Sequence, residues 1–309
     1  MNNSSLLWVF CCNDNAEHKQ YAKHAVKSAN NNTTLRKLFI YDGNDKSYIN
    51  WMQANGVRVI QHRILFYDQY LTIINNQAET QIGSGAFLRL DIPIILKRLN
   101  YHDKYVLYTD CDVIFHHHPQ IKINPTYFAC CNEVDLNPSS EHFNSGVMYL
   151  NVNNMLFTYS NLITWLITNK FSNPTGDFFD QGALTTYYRG KWDHLDPIFN
   201  WKPYWGWNEN AVIIHYHGPK TYHMKQLFTA NAINLPVIYH QLIHRINNNI
   251  SWQPYINSYN DLIAASIKTQ EEANNHWTKH GIYEQRVYPN DKIVSTIKLF
   301  INLFEKYQP

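Results

Sequence analysis

The sequence predicts an α/β protein in which a mostly parallel sheet is flanked by helices. Short apolar segments rich in β-branched and aromatic residues alternate with segments whose apolar residues recur at helical spacing. This alternation is typical of strand–helix–strand units, which connect parallel neighbours. The fourth apolar segment leads directly into two acidic residues, Asp110 and Asp112. They follow the carboxyl end of a predicted strand, which is where open sheets of this type bind ligands.

The first half of the chain carries the clearest alternation. Strands are predicted at residues 6–12, 37–43, 57–64 and 105–110, and helices at 17–30, 47–56 and 86–99. Tyr21, Ala25 and Ala29 recur at helical spacing in the first of these helices. Gly56 is placed to end the second helix, and Pro93 is expected near a kink of the third.

The second half is less regular. Strands are predicted at residues 142–152 and 211–220, and helices at 160–170 and within 176–190. A last helix is expected at residues 291–308, where Ile297 and Phe300 belong to an apolar stripe that would dock on the main domain. We therefore predict a first domain over residues 1–225 and a mainly helical C-terminal region over residues 226–309 that packs on it.

The composition limits the partners of the protein. The chain has 26 Lys and Arg residues against 24 Asp and Glu, a formal net charge of +2, which argues against a nucleic-acid binder. Aromatic residues make up 15%, a content that suits sugar-binding surfaces as well as packed cores. No stretch approaches the length of a membrane span, so no transmembrane segment is expected. Peripheral membrane contact through the amphipathic C-terminal helix stays open.

The cysteines predict a reducing compartment. Their number is odd, two pairs are vicinal and no CxxC spacing occurs, so neither a disulfide framework nor a zinc ribbon is expected. We interpret them as small apolar residues of buried strands. The N-terminus lacks the basic region of a signal peptide, and a cytoplasmic location is therefore predicted.

Asp110 and Asp112 form a pattern that suits a metal site. Alternate residues of an extended segment point to the same side, so the two carboxylates would lie together while Cys111 points back. Two neighbouring carboxylates repel each other, and a divalent cation such as Mg²⁺, Ca²⁺ or Mn²⁺ relieves that repulsion. The alternative is a pair of solvated carboxylates at the end of a strand.

Two enzyme classes begin from this pattern. Asp110-Cys111-Asp112-Val113 matches the nucleophile motif of phosphatases of the haloacid dehalogenase type, and residues 176–180 resemble the second acidic motif of that class. That nucleophile motif normally ends the first strand of its domain, whereas three strand–helix units precede it here. The second class uses DxD to hold a metal on the diphosphate of a nucleotide-sugar. A carbohydrate-binding protein without catalysis is a third possibility.

Later segments add groups that suit a metal, a phosphate and a sugar. They are Asn144-Ser145-Gly146, Asp180-Gln181-Gly182 and the stretch from His215 to Lys220. Amides and carboxylates can form paired hydrogen bonds with sugar hydroxyls. An imidazole at a strand end and a lysine beyond the next turn would supply a third metal ligand and a cation for phosphate.

Taken together and in this order, five segments resemble retaining glycosyltransferases of family 8, the group that includes glycogenin and bacterial lipopolysaccharide galactosyltransferases. The segments are residues 85–96, 105–115, 143–152, 179–188 and 213–220. The resemblance implies the GT-A fold, with a Rossmann-like nucleotide-sugar-binding domain over residues 1–225. It also implies transfer of a hexose from a UDP-sugar to an acceptor hydroxyl, with Mn²⁺ or Mg²⁺ as cofactor. The acceptor would be a glycan, a lipid-linked molecule or a protein.

The same resemblance implies roles for particular residues. Asp110, Asp112 and His215 would be the metal ligands, with His217 as a fallback for the histidine. Lys220 would bind the donor diphosphate, as would the turn at Gly218.

The donor sugar and the reacting atoms would meet a second group of residues. Arg89, Asn144, Ser145 and Asp180 would contact the diphosphate or the donor sugar, and Gln181 and Asp180 would be the catalytic residues. Retention can then arise by a same-face displacement assisted by the leaving phosphate, or through attack by Asp180.

Two further groups of residues are assigned by this resemblance or by composition. Asn13 and Asp14 fall where the family binds the nucleotide base, although the tyrosine that often follows them there is replaced by Asn15-Ala16. An aromatic segment could form a rim that stacks on acceptor sugars, or it could be part of the core. Its aromatic residues are Trp201, Tyr204, Trp205 and Trp207.

Overall fold

The computed structural model describes residues 5–133, 142–172, 179–218, 220–226, 256–257, 259–276, 280 and 291–309. The chain forms two compact units. The first comprises Met1–Asn200 and Ala211–Ile214 together with Pro309, and the second comprises Trp201–Asn210 and His215–Gln308. The domain boundary at residue 225 stays a prediction, because most of the residues after it lie outside the described part.

The first unit alternates strands and helices, as expected. Its strands are β1 Leu7–Asn13, β2 Arg36–Asp42, β3 Val57–Gln61, β4 Tyr105–Thr109, β5 Val113–Phe115, β6 Phe128–Asn132, β7 Phe143–Asn151 and β8 Asp193–His194. Its helices are α1 Ala16–Asn32, α2 Lys46–Ala54, α3 Tyr67–Ile74, α4 Gln77–Phe87, α5 Ile92–Arg98, α6 Val152–Thr168 and α7 Phe179–Tyr187.

Seven of these strands form one sheet in the order β3-β2-β1-β4-β7-β6-β8. The first four are parallel to one another. Strand β7 runs antiparallel to β4 and β6, and β8 is parallel to β6. The prediction of an α/β fold with a mostly parallel sheet is therefore confirmed. The carboxyl ends of β1 and β4 lie side by side, and Asp110 directly follows β4.

Strand β1 is buried over its whole length because it lies in the interior of the sheet. The indole of Trp8 stacks on Phe10 at 4.3 Å between ring centroids, and its Nε1 donates to Thr109 Oγ1 of β4 at 2.8 Å. The register pairs Phe10 with Thr109. This buried hydrogen bond joins β1 to β4 in the register that brings their ends together.

Side-chain caps define where several helices begin. Asn15 accepts from the backbone N–H groups of residues 17 and 18 at the start of α1, and Asp45 caps α2. Asn76 does the same for α4, a helix that the sequence analysis did not assign. Pro93 is the second residue of α5 and follows a 3₁₀ turn. The predicted helix over 86–99 is thus interrupted by a 3₁₀ turn just before Pro93, and the proline lies in the first turn of α5, where it costs no hydrogen bond.

After residue 214, the described residues of the second unit are mainly helical. Strand β9 is Ile213–His215, whose first two residues belong to the first unit, where the strand pairs with β5. The helices are α8 Thr221–Gln226, α9 Asn260–Ala264, α10 Gln270–His276 and α11 Asp291–Glu305. Helix α11 buries the predicted apolar stripe, including Ile297 and Phe300. Tyr216 donates its hydroxyl to the Phe300 carbonyl at 2.7 Å and so anchors α11 within this unit.

Among the described helices, none is both long enough and apolar enough to cross a bilayer.

A buried carboxylate joins three parts of the first unit. Asp91 is fully buried and accepts from His62 Nε2 at 2.7 Å, from the Leu65 backbone N–H at 2.9 Å and from the Tyr159 hydroxyl at 2.5 Å. We expect Asp91→Ala to lower the free energy of unfolding by about 3 kcal/mol, because it removes a buried acceptor that three donors share. Tyr159→Phe, which removes one donor, should cost about 1 kcal/mol. Urea denaturation measures both, and equal losses would contradict this account.

Candidate active site

The two acidic residues after β4 line a cavity of about 300 Å³. This volume is at the lower end of the range for small-molecule sites. Both carboxylates are half-buried, whereas Cys111 between them is buried and donates its thiol to the Cys11 carbonyl at 3.2 Å. The Asp110 backbone N–H donates to the Gly146 carbonyl at 2.7 Å, which ties the start of this segment to β7.

The cavity lies between α1 and α4, and the ends of β1 and β4 form its floor. Its lining residues are Cys11, Cys12, Asn13, Asn15, His18, Tyr21, Gln81, Ile82, Gly85, Ala86, Arg89, Asp110, Cys111 and Asp112. A Cβ at position 85 would lie 2.8 Å from Asn13 Nδ2, so Gly85 leaves room for the Asn13 amide at the cavity wall. Three candidate site residues that are distant in sequence, Asn13, Arg89 and Asp110, therefore share one cavity.

Arg89 is the centre of the polar network in this cavity. Its Nη2 lies 2.9 Å from Asp110 Oδ1, and its Nε lies 3.1 Å from Asp180 Oδ2. The guanidinium stands 4.8 Å from the ring centre of Tyr108. Burial lowers the pKa of Arg89, but Asp110 and Asp180 raise it more, so the net shift is upward. Arg89 is therefore a permanent buried cation with two carboxylate partners.

Tyr108 supports the acidic pair from inside the sheet, a role that the sequence analysis missed. Its hydroxyl donates to Asp110 Oδ1 at 2.7 Å. A sequence signal for this contact exists, because Tyr108 and Asp110 are two residues apart in an extended segment and share a side of it.

Asp180 at the start of α7 is buried beside Arg89. Its Oδ2 also accepts the Ser145 hydroxyl at 2.9 Å. The pKa of Asp180 is raised to about 6: burial raises it most, Arg89 lowers it, Asp110 raises it and the Ser145 hydrogen bond lowers it. Asp180 thus changes charge near neutral pH, and such shifts are typical of functional sites.

Gln181 and Asn144 are held in fixed orientations. Gln181 Oε1 accepts the Ser145 backbone N–H at 3.0 Å. Because a backbone N–H can only donate, this contact identifies the oxygen of the amide without ambiguity. Asn144 Oδ1 accepts from Asn200 Nδ2 at 2.9 Å, and Asn144 Nδ2 donates to Glu133 at 2.9 Å. Asn200 and Glu133 lie in no motif, so the sequence offered no signal for them.

The two residues predicted to bind a base have different surroundings. Asn13 is buried, lines both the cavity and a neighbouring pocket, and donates Nδ2 to the Gln81 carbonyl at 2.8 Å. Asp14 lines the neighbouring pocket, and it accepts from Lys19 Nζ at 2.7 Å and from the Tyr41 hydroxyl at 2.5 Å. The Lys19 hydrogen bond lowers the pKa of Asp14. Asp14 is therefore an ionised partner of Lys19.

The remaining candidates belong to the second unit. His215 is buried, and its ring centre lies 5.4 Å from that of His217, whose Nδ1 is 3.2 Å from the Tyr204 hydroxyl. Lys220 donates Nζ to the Tyr216 carbonyl at 2.9 Å. Gly218 has φ of 78°, a left-handed conformation that favours glycine in this turn.

The aromatic segment is partly exposed. Tyr204 is buried, whereas Trp201, Trp205 and Trp207 are half-buried. Trp201 donates Nε1 to the Gly206 carbonyl at 2.7 Å, which folds the segment on itself.

No protein-family model matches the chain, and no curated protein matches its sequence. Solved structures of glycosyltransferases share its fold. An active-site mutant of LgtC superposes with a TM-score of 0.54 at 18% identity, over 71% of this chain and 90% of LgtC. The glycosyltransferase GlyE of Streptococcus pneumoniae TIGR4 gives 0.52 at 13% identity, over 90% of this chain and 64% of GlyE. The bifunctional glycosyltransferase WbbM gives 0.51 at 14% identity, over 83% of this chain and 52% of WbbM.

These likenesses confirm the predicted fold. At such low identities they establish the architecture alone, so membership of family 8 stays a prediction.

Because the pKa of Asp180 is raised, we expect the free energy of unfolding to depend on pH. An aspartate in an unfolded chain ionises near pH 4, whereas Asp180 does so at about pH 6. The folded protein thus loses stability as the pH rises from 4 to 6, by about 3 kcal/mol in total. Asp180→Asn cannot ionise, so we expect its free energy of unfolding to rise relative to wild type over this window. Urea denaturation from pH 4.5 to 7.5 measures the difference, and a difference independent of pH would contradict the buried carboxylate.

Proposed function

We propose that the protein is a metal-dependent glycosyltransferase that moves a hexose from a UDP-sugar to an acceptor hydroxyl with retention of configuration. One observation carries the proposal: a buried network of Arg89, Asp110 and Asp180 reaches the cavity at the carboxyl ends of β1 and β4. In open α/β sheets this is the position of nucleotide sites. The fold shared with LgtC, GlyE and WbbM supports the same conclusion.

The proposed metal ligands are Asp110, Asp112 and His215. Two carboxylates and an imidazole form a donor set that suits Mn²⁺, or Mg²⁺ with fewer protein ligands. Both carboxylates line the cavity. His215 is the last residue of β9, and β9 pairs with β5. Strand β5 begins directly after Asp112. When bound, the cation would neutralise the negative charge that grows on the diphosphate as the glycosidic bond breaks.

Charged and turn-forming residues would hold the diphosphate. Arg89 supplies a buried positive charge at the cavity, and Lys220 would add a charge-assisted contact by exchanging the Tyr216 carbonyl for a phosphate oxygen. The turn at Gly218 has no Cβ, which lets its backbone approach the ligand closely. Asn13 would contact the base at the far wall. Asp14 would contact the base only after its hydrogen bond with Lys19 is broken.

Asn144, Asp180 and Gln181 would surround the donor sugar. One structure of LgtC contains donor and acceptor sugar analogues, and another carries glutamate in place of an active-site glutamine. We propose Gln181 for the equivalent role here. Its oxygen already accepts a backbone N–H, so its amide N–H₂ is the group available to a ligand.

Retention follows most directly from a same-face displacement. In this step the acceptor hydroxyl attacks the anomeric carbon on the side that the diphosphate leaves, and a phosphate oxygen takes the proton. An amide oxygen is a weak nucleophile, which excludes Gln181 from a covalent role. Asp180 is the alternative nucleophile, but Arg89 and Ser145 both bind one of its oxygens.

The acceptor would be a glycan, a lipid-linked molecule or a protein. The half-buried Trp201, Trp205 and Trp207 offer aromatic faces that suit stacking on sugar rings. A cytoplasmic location stays a prediction.

Turnover of nucleotide-sugars tests this function. We expect purified protein with Mn²⁺ to hydrolyse a UDP-hexose slowly without acceptor, and a chelator should abolish the reaction. Asp112→Asn should reduce the rate at least about 100-fold, because it removes one charge that binds the cation. Asp68→Asn, at an exposed aspartate of α3, is the matched control and should retain the rate.

Other outcomes of that assay identify the rival functions. Hydrolysis of p-nitrophenyl phosphate together with indifference to UDP-sugars would indicate a phosphatase. Part of the second acidic motif of that class, residues 176–178, lies outside the described residues. Ligand binding without turnover, unchanged by Asp112→Asn, would indicate a non-catalytic carbohydrate-binding protein.

The two histidines of β9 and the turn after it allow a direct test of the third ligand. We expect His215→Ala to weaken Mn²⁺ binding at least about tenfold, because one of three protein ligands is lost. His217→Ala should change it less than about twofold. Titration of bound Mn²⁺ by electron paramagnetic resonance measures both, and melting curves check that the variants are folded. The opposite order would assign the ligand to His217.

A further inference from the structure

Ser145 connects the groups that the proposed reaction needs. It is the third residue of β7 and is buried. Its backbone N–H donates to Gln181 Oε1 at 3.0 Å, and its hydroxyl donates to Asp180 Oδ2 at 2.9 Å. Its carbonyl and its hydroxyl oxygen accept from Arg89 Nη1 at 2.9 and 3.0 Å. One serine thus contacts the buried cation and both candidate catalytic residues.

The Ser145 hydroxyl both donates and accepts a hydrogen bond in these contacts. A serine hydroxyl has one proton, and this proton lies closer to Asp180 than to Gln181 Oε1, which is 3.4 Å away. Arg89 donates to one of the two lone pairs of the same oxygen. A sugar oxygen that accepted the Ser145 proton would have to displace the Asp180 carboxylate.

The backbone around Ser145 is itself held in place. Gly146 accepts the Asp110 N–H through its carbonyl at 2.7 Å, and it donates its own N–H to Asn144 Oδ1 at 3.2 Å. The next residue, Val147, pairs with Thr109 of β4. A group on such a paired strand is held more precisely than one on a loop.

We propose that Ser145 is a positioning residue: it orients the Asp180 carboxylate and the Gln181 amide instead of contacting the donor. This inference rests on the proposed glycosyl transfer. Since Ser145 and Arg89 both bind Asp180 Oδ2, Oδ1 is the oxygen directed to a sugar hydroxyl. Since Ser145 binds Gln181 Oε1, the amide nitrogen is directed to the ligand.

The charge of Asp180 gives this role a measurable consequence. Among the described residues, Arg89 and Asp110 are the charged groups that face Asp180, and the Ser145 hydroxyl adds a hydrogen bond that favours the ionised form. Removing that hydroxyl should therefore move the ionisation of Asp180 to higher pH. A purely structural serine would have no such effect.

Ser145→Ala is the informative variant, because it removes the hydroxyl and keeps the backbone N–H. We expect the acidic limb of the pH profile for UDP-sugar hydrolysis to move upward by about half a unit or more, with the donor KM changed less than about twofold. The control is Ser28→Ala in α1, another buried serine, whose hydroxyl donates to the Ala25 carbonyl at 2.8 Å. It should leave the profile in place. A tenfold rise in KM with an unmoved profile would show that Ser145 contacts the donor and would overturn the proposal.

A stability measurement separates this inference from the proposed function. The urea midpoint of Ser145→Ala should fall further below that of wild type as the pH rises from 5 to 7.5. When both proteins also carry Asp180→Asn, the difference between their midpoints should no longer depend on pH. A gap independent of pH would overturn the positioning role. If wild type turns over no UDP-sugar, the proposed function fails, while this experiment still decides whether Ser145 sets the charge of Asp180.

Discussion

The candidate site depends on one buried cation, the guanidinium of Arg89 between the carboxylates of Asp110 and Asp180. A buried charge of this kind is stable only when it is paired and hydrogen-bonded. Its partners come from the end of β4 and the start of α7, so the ion pairs also join these elements. The sheet, the helix and the chemistry of the cavity are therefore coupled through a single side chain.

The two carboxylates around Arg89 are better suited to binding a ligand than to stabilising the fold. Two carboxylates share one cation, and burial raises the pKa of Asp180 to about 6. The excess negative charge at Asp110 is attractive to a divalent cation, which would then compete with Arg89 for the same carboxylate. Such an imbalance of charge is expected at a binding site, because the ligand supplies the positive charge that the free protein lacks.

Local patterns predicted five of the seven strands of the sheet and missed β6 and β8, and they predicted the region between β3 and β4 poorly. Helices α3 and α4 were missed, and α4 contains two glycines, which normally weaken a helix. Tertiary packing explains one of them: a Cβ at Gly83 would lie 1.9 Å from the Tyr70 hydroxyl. The glycine thus allows α3 and α4 to pack closely, which no local pattern reveals.

The sequence by itself predicted the order of most strands and helices, because periodicity and turn chemistry are local. It also predicted that Asp110 and Asp112 follow a buried strand, and it showed which kinds of side chain the later segments supply. It did not predict which side chains meet. The contact of Arg89 with Asp180 depends on helix placement, and the contacts of Ser145 depend on the register of β7 against β4. These are long-range outcomes of packing, and packing joins residues whose separation along the chain carries no signal.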